Sequence, residues 1–327
     1  MNTSASAQIT GLHHITAIAS DPQRNVDFYA GLLGLRMIKR TVNFDDPSAY
    51  HLYYGDETGR PGAIITFFYW PGHEALGRVG PGQNTAIVFS ARPEALGYWE
   101  TRLASAGVAT VRRVRFDEDV LSFADPDGIP LEIVAVADDA RTGWGGGEVP
   151  AEHALRGMHT AELTVRVATK TERLLTEVMG YRLVKRDGAR ARFAAPGAEA
   201  RSGHFVDVIG DAEARPGVGG AGTIHHIAWS VPDDETELAL QARLAAAGHP
   251  VSDVRDRDYF HSIYYREPGG ILFEIATAKP GFAIDEPVER LGEKLRVPKQ
   301  FAAARAIIER RLPPLKAPDW HRIAVKA

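Results

Sequence analysis

One pattern, a strand followed by a helix and three strands, occurs four times along the chain and limits the folds it can adopt. The first copy begins with GLHHITAI at 11–18 and continues into a helix that we expect Asp21 to cap. Its later strands are predicted at 49–55 and 62–70, where the residues alternate or form a short apolar run. Modules of about 55 residues are too small to bury a core alone, so the sequence predicts that they pair. The other three copies begin near 84, 157 and 224.

The repeat divides the chain into parts. We expect modules one and two to form an N-terminal domain and modules three and four a C-terminal domain, joined by a glycine-rich linker without periodicity. After the last module, the segment 297–315 places Phe301, Ala304, Ile308 and Leu312 on one face, which predicts a helix. The predicted parts are a loose tail at 1–9, domains at 10–137 and 157–279, the linker at 138–156 and an extension at 280–327.

Composition excludes several classes of protein. The net charge of −4 gives no electrostatic reason to bind nucleic acid, and there is no basic run typical of a membrane surface. The 327 residues include no cysteine, which excludes disulfides, thiolate metal sites and a cysteine nucleophile. The longest apolar run is too short to span a bilayer, and the first residues do not resemble a secretory signal. We therefore expect a cytoplasmic protein.

Two histidine pairs and one glutamate lie at fixed places in the repeat. His13–His14 and His225–His226 begin modules one and four, and Glu274 lies in the last strand of module four. Because side chains alternate across a strand, only one histidine of each pair is expected to face a given interior. A carboxylate inside an apolar strand is costly unless it is paired, protonated or bound to metal. Two imidazoles and a carboxylate predict a metal site with open positions, which suits Fe(II), with Mn(II) as an alternative.

Each of these residues taken singly has an ordinary structural alternative. A lone strand histidine is more often a hydrogen-bonded core residue than a ligand. Modules two and three allow an internal comparison, because aligning the repeats puts Thr160, Thr85 and Glu132 where the other modules have the two second histidines and the glutamate. Only one set is complete. The sequence therefore predicts one metal site, built by modules one and four, with modules two and three paired separately.

The amino-acid sequence closely resembles that of one family. The segments that carry the resemblance are GLHHITAI, YHLYYGDETGRPGAIITFF, EHALRGMHT, IHHIAWSVPD, REPGGILFEIAT and PGFAIDEPVERLGEKLRVP. The repeat is similar to that of the vicinal oxygen chelate superfamily, which includes glyoxalase I, bleomycin-resistance proteins and type I extradiol dioxygenases. Nearly the whole chain is similar to the bacterial ring-cleaving dioxygenases that open hydroquinones. The resemblance implies an α+β fold in which four βαβββ modules form two cup-shaped sheets.

The same resemblance implies an activity and a cofactor. It implies a non-haem Fe(II)-dependent dioxygenase that inserts both atoms of O2 into a hydroquinone-type ring, with a small aromatic compound and O2 as substrates. The family's iron ligands fall at the second histidine of each pair and at the last-strand glutamate, which here are His14, His226 and Glu274. The ligand in module one also separates this family from ordinary catechol extradiol enzymes, whose first histidine lies in module three.

Further site residues follow from the resemblance. Tyr264 stands where an acid/base or hydrogen-bonding tyrosine is expected, and Arg257 matches a site arginine that could hold oxyanion charge. Thr16 shares the face of His14 and could bond the substrate or a ligand, whereas His225 and His13 could orient the neighbouring histidines. A cross-strand aromatic, a solvated arginine and a packed threonine are the structural alternatives. Candidates for the core or the cavity wall are Phe67, Phe68, Trp229 and Phe273, and no role is assigned to His51.

Three rival functions stay open at this stage. A catechol in place of a hydroquinone as the substrate of a ring-cleaving dioxygenase is the first alternative. A glyoxalase-type isomerase usually takes a further carboxylate ligand from another module, and the equivalent position in module one is Thr66. A metal-free protein that binds aromatic compounds would not need the two histidines and the glutamate together. The sequence leaves a homo-oligomer open.

Overall fold

The computed structural model of the protein describes residues 8–196, 201–316 and 318. Within these residues, sixteen strands form two eight-stranded sheets, and each sheet takes four strands from each of two modules. This arrangement confirms the predicted α+β fold of four βαβββ modules and its pairing of one with four and two with three. The strands are β1 Gly11–Ile18, β2 Arg36–Val42, β3 Tyr50–Gly55, β4 Ile64–Tyr69, β5 Gln83–Ala91, β6 Val111–Arg115, β7 Glu118–Ala124, β8 Pro130–Ala135, β9 Met158–Val165, β10 Arg182–Asp187, β11 Arg190–Ala194, β12 Phe205–Gly210, β13 Thr223–Val231, β14 Arg255–Asp256, β15 Phe260–Arg266 and β16 Leu272–Pro280.

The order of strands explains how residues far apart in sequence meet. The first sheet runs β14-β15-β16-β13-β1-β4-β3-β2, and the second runs β10-β11-β12-β9-β5-β8-β7-β6. In each sheet the first strands of two modules pair antiparallel at the centre, as β1 does with β13 and β5 with β9. Each of these central strands also pairs in parallel with the last strand of its own module. The centre of the first sheet therefore holds both histidine pairs beside Glu274.

One helix per module packs against the sheets. The first begins after Asp21, whose side chain accepts a hydrogen bond from the backbone amide of Arg24, as the N-cap prediction requires. It ends before Gly34, whose φ of 66° is the left-handed conformation that glycine adopts readily. The helices are α1 Pro22–Val26, α2 Ala95–Ser105, α3 Ala168–Arg173, α4 Asp234–Ala246 and α5 Arg305–Arg311, with π-helical turns at Asp27–Leu32 and Leu174–Val178 and 3-10 turns at Phe282–Ile284, Val288–Arg290 and Lys299–Ala304.

The segment after β16 packs against module one. Lys39 on β2 is fully buried, and its ammonium contacts the carboxylates of Asp285 and Glu286, both at 2.6 Å. A buried lysine needs such partners, so this cluster holds the extension against the first sheet. The helix predicted at 297–315 is a 3-10 turn continued by α5, and Ile308 and Leu312 from its expected apolar face are buried. No helix in the described part of the chain is long and apolar enough to cross a membrane.

The strand registers correct one detail of the repeat alignment. Ala228 opposes Glu274 in the first sheet, and Val88 opposes Glu132 in the second, so these glutamates are equivalent. Counting two residues back along the central strand from each of those partners gives His226 and Ala86. The structural counterpart of His226 is therefore Ala86 and not Thr85. The sequence alignment of these two strands was one residue out of step, because both ladders pass over equivalent residues, His225 and Thr85.

Candidate metal centre and active-site cavity

Each histidine pair lies at a β-bulge in the ladder between β1 and β13. On β1 the cross-strand pairing passes over His13, and on β13 it passes over His225. A bulge adds an unpaired residue and breaks the strict alternation of side chains. As a result the two rings of each pair contact each other, with centroids 5.1 Å apart in both pairs. The alternation argument had placed His13 away from His14, whereas the structure places the two imidazoles side by side.

Three side-chain atoms converge between β1, β13 and β16. Oε2 of Glu274 lies 3.3 Å from Nε2 of His14 and 2.9 Å from Nε2 of His226, and the two Nε2 atoms are 3.3 Å apart. All three residues are buried, and Glu274 is 0% exposed. In the described residues, no other group of three histidine or acidic side chains brings its ligand atoms close enough to hold a metal ion. The predicted ligand residues therefore meet at one point.

Each second histidine of a pair contacts the first through its Nδ1 atom. His13 Nε2 donates to the carbonyl of Thr277 at 3.2 Å, so its Nδ1 can accept from Nδ1 of His14 at 2.9 Å. The same Nδ1–Nδ1 contact, at 2.8 Å, joins His226 to His225. In both pairs the Nδ1 contact leaves the Nε2 atom of the second histidine facing the convergence point. A partner on the second ring nitrogen is typical of histidines that bind metal.

Glu274 Oε2 is a buried oxygen without a hydrogen bond of adequate geometry, in spite of the short distances to the two imidazoles. Burial alone would raise the pKa of Glu274, but His14 and His226 hold it well below its ordinary range, so the carboxylate is ionised. Burial lowers the pKa of His226, and Glu274 acts against this shift. One carboxylate oxygen and two imidazole Nε2 atoms within 3.3 Å of one another are the donor set that a divalent transition metal fits.

The other oxygen of Glu274 is held by Tyr264. The Tyr264 hydroxyl donates to Oε1 at 2.9 Å from the facing position on β15. It accepts from Arg257 Nε at 3.2 Å and from Ser262 Oγ at 3.0 Å. The Tyr264 hydroxyl therefore holds the carboxylate in place and does not point freely into the cavity.

Arg257 links both sides of the cavity mouth. Its guanidinium, besides bonding Tyr264 on module four, makes two bonds of 3.1 and 2.9 Å to the carboxylate of Asp45, which lies between β2 and β3 of module one. Burial would lower the pKa of Arg257, but Tyr264 and Asp45 raise it above its ordinary value, so the positive charge is permanent. Asp45 could not be identified from the sequence, because nothing in the residues around it indicates that it contacts Arg257, 212 residues away.

These groups open into a cavity of about 480 Å³. Its size is typical of a site for a small organic ligand. Tyr264, Arg257 and His225 line it, and aromatic rings form much of the remaining wall. Of the four aromatic wall candidates Phe68 lines the cavity, whereas the other three, Phe67, Trp229 and Phe273, are buried in the hydrophobic core. Further lining residues are Phe44, His51, Tyr53, Trp70 and Phe260.

Thr16 takes a different position from the one that the sequence suggested. It is fully buried and does not line the cavity, and its hydroxyl lies 2.8 Å from that of Thr66 on β4. Thr66 in turn lies 2.9 Å from Nε2 of His51, which lines the cavity. His51 had been left without a role. The signal that could have found it is the alternation of AYHLYYG, which puts His51 and Tyr53 on one face of β3.

The second sheet has no comparable donor set. Its unpaired residues at the equivalent bulges are His159 and Thr85, and the ligand positions hold Thr160 and Ala86. Glu132, the counterpart of Glu274, binds the guanidinium of Arg115 through two bonds of 2.6 Å. An arginine thus neutralises the carboxylate in this sheet.

Comparison with known proteins defines the class that this fold and site indicate. The model of the Glyoxalase/Bleomycin resistance protein/Dioxygenase superfamily matches residues 11–133 and 157–275. The chain belongs to this superfamily.

Individual relatives narrow the class. A Bacillus subtilis (strain 168) protein named as the ring-cleaving dioxygenase MhqO is 45% identical over 306 residues, which are 94% of this chain and 96% of that protein. The chlorohydroquinone/hydroquinone 1,2-dioxygenase of Sphingobium indicum is 35% identical over 303 residues, which cover 90% of this chain and 93% of that enzyme. A crystal structure described as that of a Bacillus subtilis dioxygenase superimposes with a TM-score of 0.90 at 44% identity, covering 95% of this chain and 99% of that one. The protein is an enzyme of the ring-cleaving dioxygenase kind.

Proposed function

We propose that this enzyme is an Fe(II)-dependent dioxygenase that opens a hydroquinone-type ring by inserting both atoms of O2. His14, His226 and Glu274 are the proposed metal ligands, with Mn(II) as the alternative ion. The observation that carries the proposal is the convergence of two imidazole Nε2 atoms and one carboxylate oxygen beside an aromatic-lined cavity of about 480 Å³. Three protein ligands leave room on the metal for other ligands, as in other sites with two histidines and one carboxylate.

The metal would supply binding positions for a phenol oxygen and for O2 and the redox capacity that this reaction needs. The chain supplies the orientation of its donors. His13 and His225 hold the rings of His14 and His226 by their Nδ1 contacts, and Tyr264 holds Glu274. Such partners fix both the tautomer and the angle of a ligand.

Arg257 and the cavity wall have separate proposed tasks. The guanidinium carries a permanent charge beside Tyr264, where it would stabilise negative charge on a phenol oxygen that loses its proton. Phe68, Phe260 and Trp70 offer aromatic surface to the ring and reduce the access of water. In this scheme Thr16 acts on the site only through Thr66 and His51.

Two observations favour this reaction over the rivals. The hydroxyl of Thr66 lies at the place where a glyoxalase-type isomerase usually has a carboxylate ligand, and it contacts Thr16 and His51 instead. The named hydroquinone dioxygenase matches nearly the full chain, which favours a hydroquinone over a catechol.

The test is oxygen uptake by the metal-reconstituted protein. Protein loaded anaerobically with Fe(II) is expected to bind about one ion per chain and to consume O2 with hydroquinone, together with the appearance of a ring-opened chromophore. His226→Ala is expected to lose the metal and about 100-fold or more in activity, since loss of a ligand costs at least as much as loss of a ligand's hydrogen-bond partner. His73→Ala, at an exposed histidine that binds only a nearby carbonyl, is the matched control and is expected to behave like the unaltered enzyme. Metal binding with uptake only on catechols would replace the proposed substrate, and a protein without stoichiometric metal would end the proposal.

A further inference from the structure

A second tyrosine stands at the repeat-related position to Tyr264. Tyr264 on β15 faces Glu274 on β16, and Tyr53 on β3 faces Thr66 on β4. Because Thr66 is the module-one counterpart of Glu274, Tyr53 is the counterpart of Tyr264. Tyr264 therefore lies beside the proposed carboxylate ligand Glu274. Tyr53 lies beside Thr66, at the position where module one has a threonine and not a carboxylate.

Tyr53 belongs to a chain of four buried polar groups. Thr16 Oγ1 lies 2.8 Å from Thr66 Oγ1, which lies 2.9 Å from Nε2 of His51. Nδ1 of His51 lies 2.9 Å from the Tyr53 hydroxyl. His51 and Tyr53 line the cavity, and Thr16 does not. No other hydrogen bond of the Tyr53 hydroxyl is found in the described residues.

The number of protons in this chain determines which end has a free donor. Burial holds the pKa of His51 well below its ordinary value and that of Tyr53 well above it, so both side chains are neutral. The four groups then carry four protons: one on each threonine hydroxyl, one on the imidazole of His51 and one on the phenol of Tyr53. Only three hydrogen bonds join these groups, so one proton is left over. The surplus proton lies on Thr16 or Thr66, which are fully buried and do not line the cavity, or on Tyr53, which lines it.

An unpaired donor in the interior is costly, whereas a donor that faces a cavity finds a ligand or water oxygen. The favoured direction therefore runs from Thr16 to Thr66, from Thr66 to His51 and from His51 to Tyr53. The O–H of Tyr53 is left pointing into the cavity. Tyr264 cannot donate a hydrogen bond to a ligand in the same way, because its hydroxyl already donates to Glu274.

We propose that Tyr53 donates a hydrogen bond to the ring hydroxyl of the substrate that is not at the metal, and that His51 and Thr66 are positioning residues for this donor. The proposal rests on the proposed function, since it assumes a dihydroxylated ring in the cavity. Tyr53 lies on β3, two strands from the ligand strand β1, so its hydroxyl faces the cavity beyond the ligand atoms. We therefore expect the cavity to bind a ring with a second hydroxyl more tightly than a ring with one, because a preformed donor favours the ligand that can accept a hydrogen bond from it.

Anaerobic calorimetry of the metal-loaded protein with hydroquinone and with phenol tests this directly. The unaltered enzyme is expected to bind hydroquinone roughly fivefold to tenfold more tightly than phenol, the effect of one hydrogen bond. Tyr53→Phe is expected to bind both with equal affinity. Tyr54→Phe is the matched control, because Tyr54 is the next residue on β3, points to the opposite face and bonds Asn25. It is expected to keep the preference.

The positioning role has its own readout. His51→Phe is expected to raise the KM for hydroquinone about as much as Tyr53→Phe while kcat changes little, and His51→Gln, which retains a hydrogen-bonding side chain, is expected to recover part of the loss. An unchanged hydroquinone-to-phenol ratio in Tyr53→Phe would overturn the inference. If Tyr53→Phe does not fold, Thr66→Val removes the hydroxyl that donates to His51 and so releases the fixed orientation of the Tyr53 O–H. An unchanged hydroquinone-to-phenol ratio in Thr66→Val would equally overturn the inference.

The two proposals fail in different ways. If the unaltered protein binds both phenols but consumes no O2 with hydroquinone, the dioxygenase proposal is wrong, and the binding ratio still decides the role of Tyr53. If it consumes O2 but Tyr53→Phe keeps the preference, only the role of Tyr53 is wrong. Binding of neither phenol would overturn both.

Discussion

Tyr264 holds the proposed metal ligand Glu274 without being a proposed ligand itself. Its hydroxyl donates to the Glu274 oxygen that does not face the histidines, and burial raises the pKa of Tyr264, so it stays a donor at any pH that the protein tolerates. We expect Tyr264→Phe to weaken metal binding by about tenfold, because partners of metal ligands commonly contribute 10-fold to 100-fold in affinity. Competition with a chelator of known affinity at fixed pH measures the change.

The neighbouring tyrosine provides the control for this measurement. Tyr265 follows on the same strand, and its hydroxyl bonds the sulfur of Met179 away from the cavity. Tyr265→Phe is expected to leave the metal affinity unchanged. Equal affinities in Tyr264→Phe and the unaltered protein would mean that Glu274 is held by the backbone of β16 alone.

At the scale of elements, α4 carries an unusual carboxylate. Glu237 is 0% exposed, and neither of its oxygens has a hydrogen-bond partner in the described residues. Burial raises its pKa to about 7, with Asp234 and Glu274 acting in the same direction and His261 against it. The folded protein therefore keeps the proton of Glu237 to a higher pH than the unfolded chain does. This difference stabilises the folded state fully below about pH 4.5, the ordinary pKa of a glutamate, and the stabilisation is lost as the pH rises to about 7.

Glu237→Gln removes this loss. The free energy of unfolding of the variant, relative to the unaltered protein, is expected to increase by about 2 kcal/mol between pH 5 and pH 8. Urea unfolding at both pH values, with the metal content held equal, gives the difference. Glu235→Gln, at an exposed position in the same helix turn, is the control and should show no such trend. A parallel pH profile for Glu237→Gln and the unaltered protein would show that Glu237 is ionised without strain.

Several elements could be predicted from the sequence, and the reason is the repeat. Hydrophobic periodicity and the Asp21 cap give the modules, and the incomplete histidine set in modules two and three gives their pairing. The bulges at His13 and His225 could not be predicted, because they belong to a register between strands more than 200 residues apart. For the same reason the pairing of Asp45 with Arg257 and the chain from Thr16 to Tyr53 appear only in the structure.

The whole molecule contains the same sheet architecture twice, and a buried glutamate at the centre of each sheet has different partners in the two. Both sheets place a glutamate on the last strand of a module at the centre, namely Glu274 and Glu132. In the first sheet the carboxylate faces the imidazoles of His14 and His226. In the second it faces Arg115, and Asp207 close by is bonded to Arg192 at 2.7 Å. A buried carboxylate requires a cationic partner, and we infer that a metal ion serves in one sheet where a guanidinium serves in the other.

This comparison predicts that the second sheet contributes to stability and not to the chemistry. Arg115→Met leaves Glu132, which is 6% exposed, with only the Ser122 hydroxyl at 3.1 Å. Removal of one partner of a buried ion pair is expected to lower the free energy of unfolding by about 3–5 kcal/mol. Urea unfolding measures this loss, and metal stoichiometry and the KM for hydroquinone are expected to stay unchanged. The double variant Arg115→Met with Glu132→Leu is expected to regain most of the stability, because no unpaired charge is left. Loss of metal from Arg115→Met without loss of stability would show instead that the two sheets are coupled and that the second one takes part in the site.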